Sequence, residues 1–251
     1  MGLLGCGDSQ PVIAERLGAD APFLCICDHA GREVPGRLSR LGLPETAFDL
    51  HIAWDIGAAG VTGRLAAALG AASILQRYSR LVIDCNRDPS KLDAIPTVSD
   101  GVAIPANEGL DTEGRRARIE AIHAPYHAAI SAELDGRRDR GLPTILLFLH
   151  SFTPCLGGVP RPWSFGVIRE PTSRFSKAVL KQLRAVDGLA VGDNEPYAMD
   201  GVDYSAPTHA MARGLDYLEL EMRQDLIADD AGQAAVAGLL QVVLAKAAAT
   251  L

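Results

Sequence analysis

Three uncharged runs punctuate the chain, and each ends on polar groups. Residues 23–27 run into Asp28-His29, residues 81–83 into Asp84-Cys85-Asn86-Arg87, and residues 144–149 into His150-Ser151. Short apolar, β-branched runs that stop at turn formers predict strands buried on both faces. Residues 216–223 alternate instead, with Leu218, Leu220 and Met222 on one side and Glu219, Glu221 and Arg223 on the other, which predicts an edge strand with one polar face. Shorter strands are expected at 72–76, 164–168 and 190–191. Between the strands the pattern predicts an Ala-rich helix over 57–69 stopped by Gly70, and a long helix over 112–140 divided by Pro125. Further helices are expected over 173–186 and from 231. The first twenty residues read as a loosely held lead-in, and 87–111 and 192–209 as long loops. Alternating strands and helices with no internal repeat or low-complexity linker give one α/β domain over 1–251, three layers deep.

Composition adds little to this and excludes several partners. The chain has 251 residues, 48% hydrophobic and 22% charged, which is ordinary for a globular protein. Its net charge of -7 argues against a polyanion partner, so nucleic acid is not expected. Arg115, Arg116 and Arg118, and Arg137, Arg138 and Arg140, read as solvated helix faces. The cysteines, Cys6, Cys25, Cys27, Cys85 and Cys155, are odd in number and lack zinc-finger or disulfide spacing. No signal-type segment or membrane span stands out, and the Ala-rich tail reads as a helix packing onto the domain. A cytoplasmic location without membrane association is expected.

Three clusters carry candidate chemistry. His29, Asp55 and His150 form the ligand set of a catalytic zinc site, two imidazoles and one carboxylate with a position left for water. Glu33 is a competing carboxylate, and the residue types fit equally a rim of hydrogen-bonded histidines with Asp55 capping the Ala-rich helix. Asn86 and Arg87 suit two-pronged recognition of a substrate carboxylate, with Asp84 orienting them or a metal-bound histidine from behind. Glu219 and Glu221 share a strand face with Arg223. A carboxylate there fits the general base of amide hydrolysis, and the same alternation fits a solvent-facing edge. His123 and His127, four apart on a helix without the Glu of a metalloprotease motif, read as packing and surface residues.

Taken together, several runs resemble the N-formylglutamate amidohydrolase family, in its predicted-amidohydrolase branch. They are Asp28-His29-Ala30 followed by Pro35, residues 51–57 (HIAWDIG), residues 78–87 (YSRLVIDCNR), residues 150–154 (HSFTP), residues 192–197 (GDNEPY) and residues 219–226 (ELEMRQDL). The likeness covers nearly the whole chain in order. It implies a three-layer sandwich with a central mixed sheet, phosphorylase/hydrolase-like and related to zinc carboxypeptidases and aspartoacylases. It also implies metal-dependent cleavage of N-formylglutamate or another small N-acyl amino acid, with Zn(2+) on His29, Asp55 and His150 and Glu221 as general base. Asn86 and Arg87 then clamp the substrate carboxylate, Arg223 adds a cation for the oxyanion, and Asp84 and Glu219 support from behind. Arg32 stands where zinc carboxypeptidases carry a ligating Glu three residues after the His, so Asp55 is the inferred second ligand.

Overall fold

A computed structural model describes residues 2–199 and 201–251. In chain order the elements are β1 (Val12–Glu15), β2 (Phe23–Cys27), α1 (Ala58–Leu69), β3 (Ala72–Gln76), and a hairpin of β4 (Val98–Ser99) and β5 (Val102–Ala103). There follow α2 (Thr112–Arg118), α3 (Ala124–Asp139), β6 (Ile145–Phe152), a hairpin of β7 (Cys155–Leu156) and β8 (Val159–Pro160), and β9 (Phe165–Ile168). The chain ends with α4 (Arg174–Arg184), β10 (Val191–Asp193), α5 (Ser205–His209), β11 (Asp216–Arg223) and α6 (Asp230–Ala248). The main sheet has seven strands in the order β1-β3-β2-β6-β11-β9-β10. It is mixed: β3, β2, β6 and β11 run parallel, β1 is antiparallel at one edge, and β9 with β10 is reversed at the other.

Side-chain alternation assigns the two faces. Cys25 and Cys27 of β2, Leu147 and Leu149 of β6, and Leu218, Leu220 and Met222 of β11 pack beneath α1, α4 and α6. Leu24, Ile26, Leu146, Phe148 and Tyr217 point the other way, against α3 and the buried stretch from Tyr78 to Cys85. Continuing the same alternation puts Asp28, His150, Glu219 and Glu221 on this second face, at the carboxyl ends of parallel strands. That is where ligands bind in open α/β sheets. α6 is long and apolar enough to cross a membrane by length and composition. Here Val236, Leu240, Val243, Leu244 and Ala247 are buried in the core with α1 and α4, so it serves as a core helix.

Several expectations need correction. Residues 81–83 are not a strand. They are buried coil whose main-chain carbonyls are met by side chains, Leu81 by Asn107 Nδ2 (2.8 Å) and Val82 by Arg118 Nη1 (2.8 Å). An apolar run can therefore be buried without a sheet ladder, provided its polar backbone is paired elsewhere. Arg118 and Arg137 are accordingly not solvated: both are almost fully buried, and Arg137 donates to the carbonyls of Ala19, Ala21 and Pro143. β11 is central rather than an edge, so its acidic face looks into the protein. The lead-in contains the edge strand β1. The long helix is divided as expected, but by a wide π-type turn over Ile119–His123 that precedes Pro125.

Candidate active site

Parallel pairing aligns the strand ends that carry the acids and imidazoles. Glu221 of β11 sits opposite His150 of β6 in register, and β2 delivers Asp28 and His29 one strand further along. Asp55 arrives from the loop before α1, held by its own N–H donating to the His29 carbonyl at 2.9 Å. It does not cap the helix. Gly57 occupies that position at a φ of 81°, with no side-chain cap, which leaves the Asp55 carboxylate for the cluster.

The ligand atoms of His29, Asp55 and His150 lie within 4.8 Å of one another, and all three residues are buried. Asp55 Oδ2 is 3.4 Å from His29 Nδ1 and 3.1 Å from His150 Nδ1. Behind each ring stands another carboxylate. His29 Nε2 donates to Asp84 Oδ1 at 2.7 Å, and His150 Nε2 lies 3.4 Å from Asp28 Oδ2, within ion-pair range but without the alignment of a hydrogen bond. Asp28 is itself fixed by Tyr126 Oη (2.9 Å) and Ser205 Oγ (2.7 Å). A ring whose Nε2 hydrogen faces a carboxylate presents a bare Nδ1 to the centre, the arrangement that orients metal-ligating histidines. Two such nitrogens and a carboxylate oxygen, which also accepts from the Ser151 N–H at 3.2 Å, make a donor set that a cation could join. Without a metal the imidazoles take protons instead. Burial opposes that charge, yet Asp28 and Asp55 carry His150 well above its usual range, and Asp84 and Asp55 raise His29. The donor set fits a divalent cation.

The cluster lines a cleft of about 360 Å³ together with Arg80, Asn86, Arg87, Tyr197, Asp203, Glu219 and Glu221. Burial pushes the Glu221 carboxyl up to about 7, with Asp55 adding to the shift, and its Oε2 has no hydrogen-bond partner among the described residues. Glu219 is raised further, by burial first and then by Asp203. Arg80, which the sequence did not single out, is a cation in the cleft wall. Its Nε and Nη2 donate to Asp84 Oδ2 (3.0 and 2.6 Å), and Nη1 is 3.5 Å from Asp55 Oδ1. Arg223 is not brought to the cleft. It lies at the strand end, where its guanidinium turns outward to Asp225 (2.7 Å). Glu33 is likewise apart, paired with Arg77 on the surface at 3.1 Å.

Asn86 and Arg87 do line the cleft, on a turn braced from below. His127 Nε2 donates to the Cys85 carbonyl (2.9 Å), His123 Nε2 to the Arg87 carbonyl (3.1 Å), and His209 Nε2 donates to His127 Nδ1 (2.8 Å). His123 and His127 are thus buried supports of the turn, not surface residues. Their role was invisible in sequence because their partners are main-chain carbonyls some forty residues away.

The model of the N-formylglutamate amidohydrolase (FGase) family matches residues 21–228. The crystal structure of gene product Atu2144 from Agrobacterium tumefaciens is similar over 99% of this chain and 98% of that one, with 34% identity and a TM-score of 0.95. N-formylglutamate amidohydrolase from Ralstonia eutropha JMP134 shares the fold, with a TM-score of 0.62 and 20% identity over 94% of this chain and 96% of that one. No curated protein matches.

Proposed function

This chain belongs to the N-formylglutamate amidohydrolase family, and we propose that it is a zinc-dependent hydrolase of linear amides. Its substrate is N-formylglutamate or a related N-formyl or N-acyl amino acid, cleaved to a carboxylate and the free amino acid. The observation that carries this reading is the convergence of His29 Nδ1, His150 Nδ1 and Asp55 Oδ2 beside the unpartnered Oε2 of Glu221. Bound by those three residues, a divalent cation supplies Lewis-acid polarisation and acidifies water. Zinc suits two imidazoles and a carboxylate.

The chain's own groups supply the rest. Glu221 Oε2 takes a proton from the attacking water and returns it to the leaving amine, and a carboxyl held near neutrality can do both. Arg80, pinned by Asp84 and Asp55, holds a fixed positive charge in the cleft wall for the oxyanion. Arg87, with Asn86, offers donors to the substrate carboxylate. Asp84 and Asp28 hold the rings of His29 and His150. The five unpaired cysteines support action in a reducing cytoplasm.

A second reading, an amidase acting on a larger acyl peptide, is favoured by one observation. A cavity of about 400 Å³ that includes His51, Asp100 and Gly157 adjoins the cleft and shares Arg80, Arg87 and Tyr197 with it. Elemental analysis of chelator-free protein tests the metal: about one zinc per chain is expected, lost in His29→Ala and His150→Ala. No metal in the parent protein rejects the hydrolase in favour of a carboxylate-binding module. Release of formate from N-formyl-L-glutamate, against release of an amino acid from acylated peptides, separates the two substrate readings.

A further inference from the structure

The carboxylate clamp already holds a carboxylate, and it belongs to this chain. Asn86 Nδ2 donates to Asp203 Oδ1 at 3.0 Å, and Arg87 Nη1 lies 3.5 Å from the same oxygen. The amide orientation is fixed from the other side, since Asn86 Oδ1 accepts from the N–H groups of Tyr204 (3.0 Å) and Ser205 (2.9 Å). Arg87 Nη1 also reaches the carbonyls of Asn86 (3.1 Å) and Val202 (3.4 Å), while its Nε is 3.9 Å from Asp93. Asp203 therefore presents to the two clamp residues the chemistry a substrate carboxylate would bring, from a position on the cleft wall. Glu219, nearly fully buried, lines the same cleft, and burial, with Asp203 after it, holds its carboxyl well above the usual carboxylate range. A carboxylate held by such donors as Asn86 and Arg87 can be exchanged for another. The preceding Gly201 turns at a φ of 84°, and a Cβ there would meet nothing within 4 Å.

We propose that Asp203 is the specificity-determining residue of the clamp, an internal competitor that a substrate carboxylate displaces from Asn86 and Arg87. The inference rests on the clamp role given to those two residues above. Affinity for carboxylate-bearing ligands is then set by the fraction of molecules in which Asp203 has let go. Ligands without a carboxylate at this position do not meet the competition.

Asp203→Asn keeps the carbonyl oxygen that Asn86 needs and removes the charge. Calorimetric titration of the full chain with L-glutamate, and with its diamide, which lacks both carboxylates, reads the effect. If the clamp is open about a tenth of the time, the variant binds L-glutamate about tenfold more tightly, and the diamide is unaffected. On N-formyl-L-glutamate the gain falls on KM with kcat unchanged, a split that loss of scaffold would not give. Asp203→Ala changes in the same direction. Arg87→Ala serves as the control for the clamp. Unchanged or weaker glutamate binding by Asp203→Asn, while Arg87→Ala abolishes it, overturns the competitor and leaves the clamp standing. Equal binding by Arg87→Ala and the parent, or no binding by any of these proteins, overturns both.

Discussion

Acid should loosen this protein through the imidazoles beneath the clamp. Among the described residues, His127 and His209 are buried without a counter-ion in hydrogen-bonding contact: His127 donates to a carbonyl, and His209 Nδ1 has no partner there. Burial, with His123 adding to it, holds His127 down to about 3, and burial holds His209 down to about 4, both from 6.5. A depressed imidazole means that the unfolded chain takes up a proton the folded chain refuses. Its contribution to stability is therefore complete above about pH 6.5 and is lost as the pH falls toward the folded value. At about pH 5 the unfolded histidines sit roughly 1.5 units below their own pKa, which costs about 2 kcal/mol each. Guanidinium unfolding at about pH 7 and about pH 5 measures the loss for the parent and for His209→Gln. Gln retains an N–H donor for His127 Nδ1 and does not titrate, and every other titrating group is common to both proteins. The variant is expected to lose about 2 kcal/mol less than the parent over this interval. Equal losses would show that these rings protonate without penalty in the fold, and their assignment as neutral supports of the turn would be wrong.

Other expectations follow from single contacts. Glu221→Gln should retain metal while kcat drops by about 10²- to 10⁴-fold; turnover at the parent's rate would remove Glu221 from proton transfer. Arg118→Met strips donors from the Val82 carbonyl, Asn107 Oδ1 and the Ala106 carbonyl. With those acceptors left buried, unfolding free energy should fall by roughly 3 kcal/mol, and an unshifted denaturation midpoint would contradict that support. A Cβ at Gly31 would run into the Arg77 carbonyl, whereas one at Gly63 in α1 meets nothing. Gly31→Ala should lower the melting temperature sharply, and Gly63→Ala should leave it unchanged or raise it, with a gain in stability of up to about 1 kcal/mol. Matching melting curves for the two would reject the close approach at Gly31.

What could be read from the bare chain was the part governed by short-range alternation. His29 and His150 follow directly from β2 and β6, and the period of two put Glu219 and Glu221 on one face. The same alternation misplaced β11 as an edge strand, because charged residues facing a buried cleft and charged residues facing water look alike along a strand. Arg223 obeys the period but ends the strand, where the side chain is free to turn to Asp225. Residues 81–83 were misread because Arg118 and Asn107, which satisfy their carbonyls, lie far along the chain. Arg80 was hidden inside a recognised run, since only the folded loop shows its guanidinium between Asp84 and Asp55. Asp203 was legible only as a late-loop residue that could shape specificity, with no physical argument behind it, because its meaning lies in the distance to Asn86.

The wide turn between α2 and α3 turns helix length into a matter of angle. There the Ala124 N–H reaches back to the Ile119 carbonyl, one residue further than an α-helix would. The extra residue advances everything after it by about 100° relative to an uninterrupted α-helix. That phase is what aims Tyr126 at Asp28 and His127 at the Cys85 carbonyl, while Arg118 upstream still points at Val82. Deleting any one residue from 119–123 would leave composition and hydrophobic content almost untouched and yet swing both props away from the strand ends. The candidate site is thus tuned by a dial on the outside of the sheet.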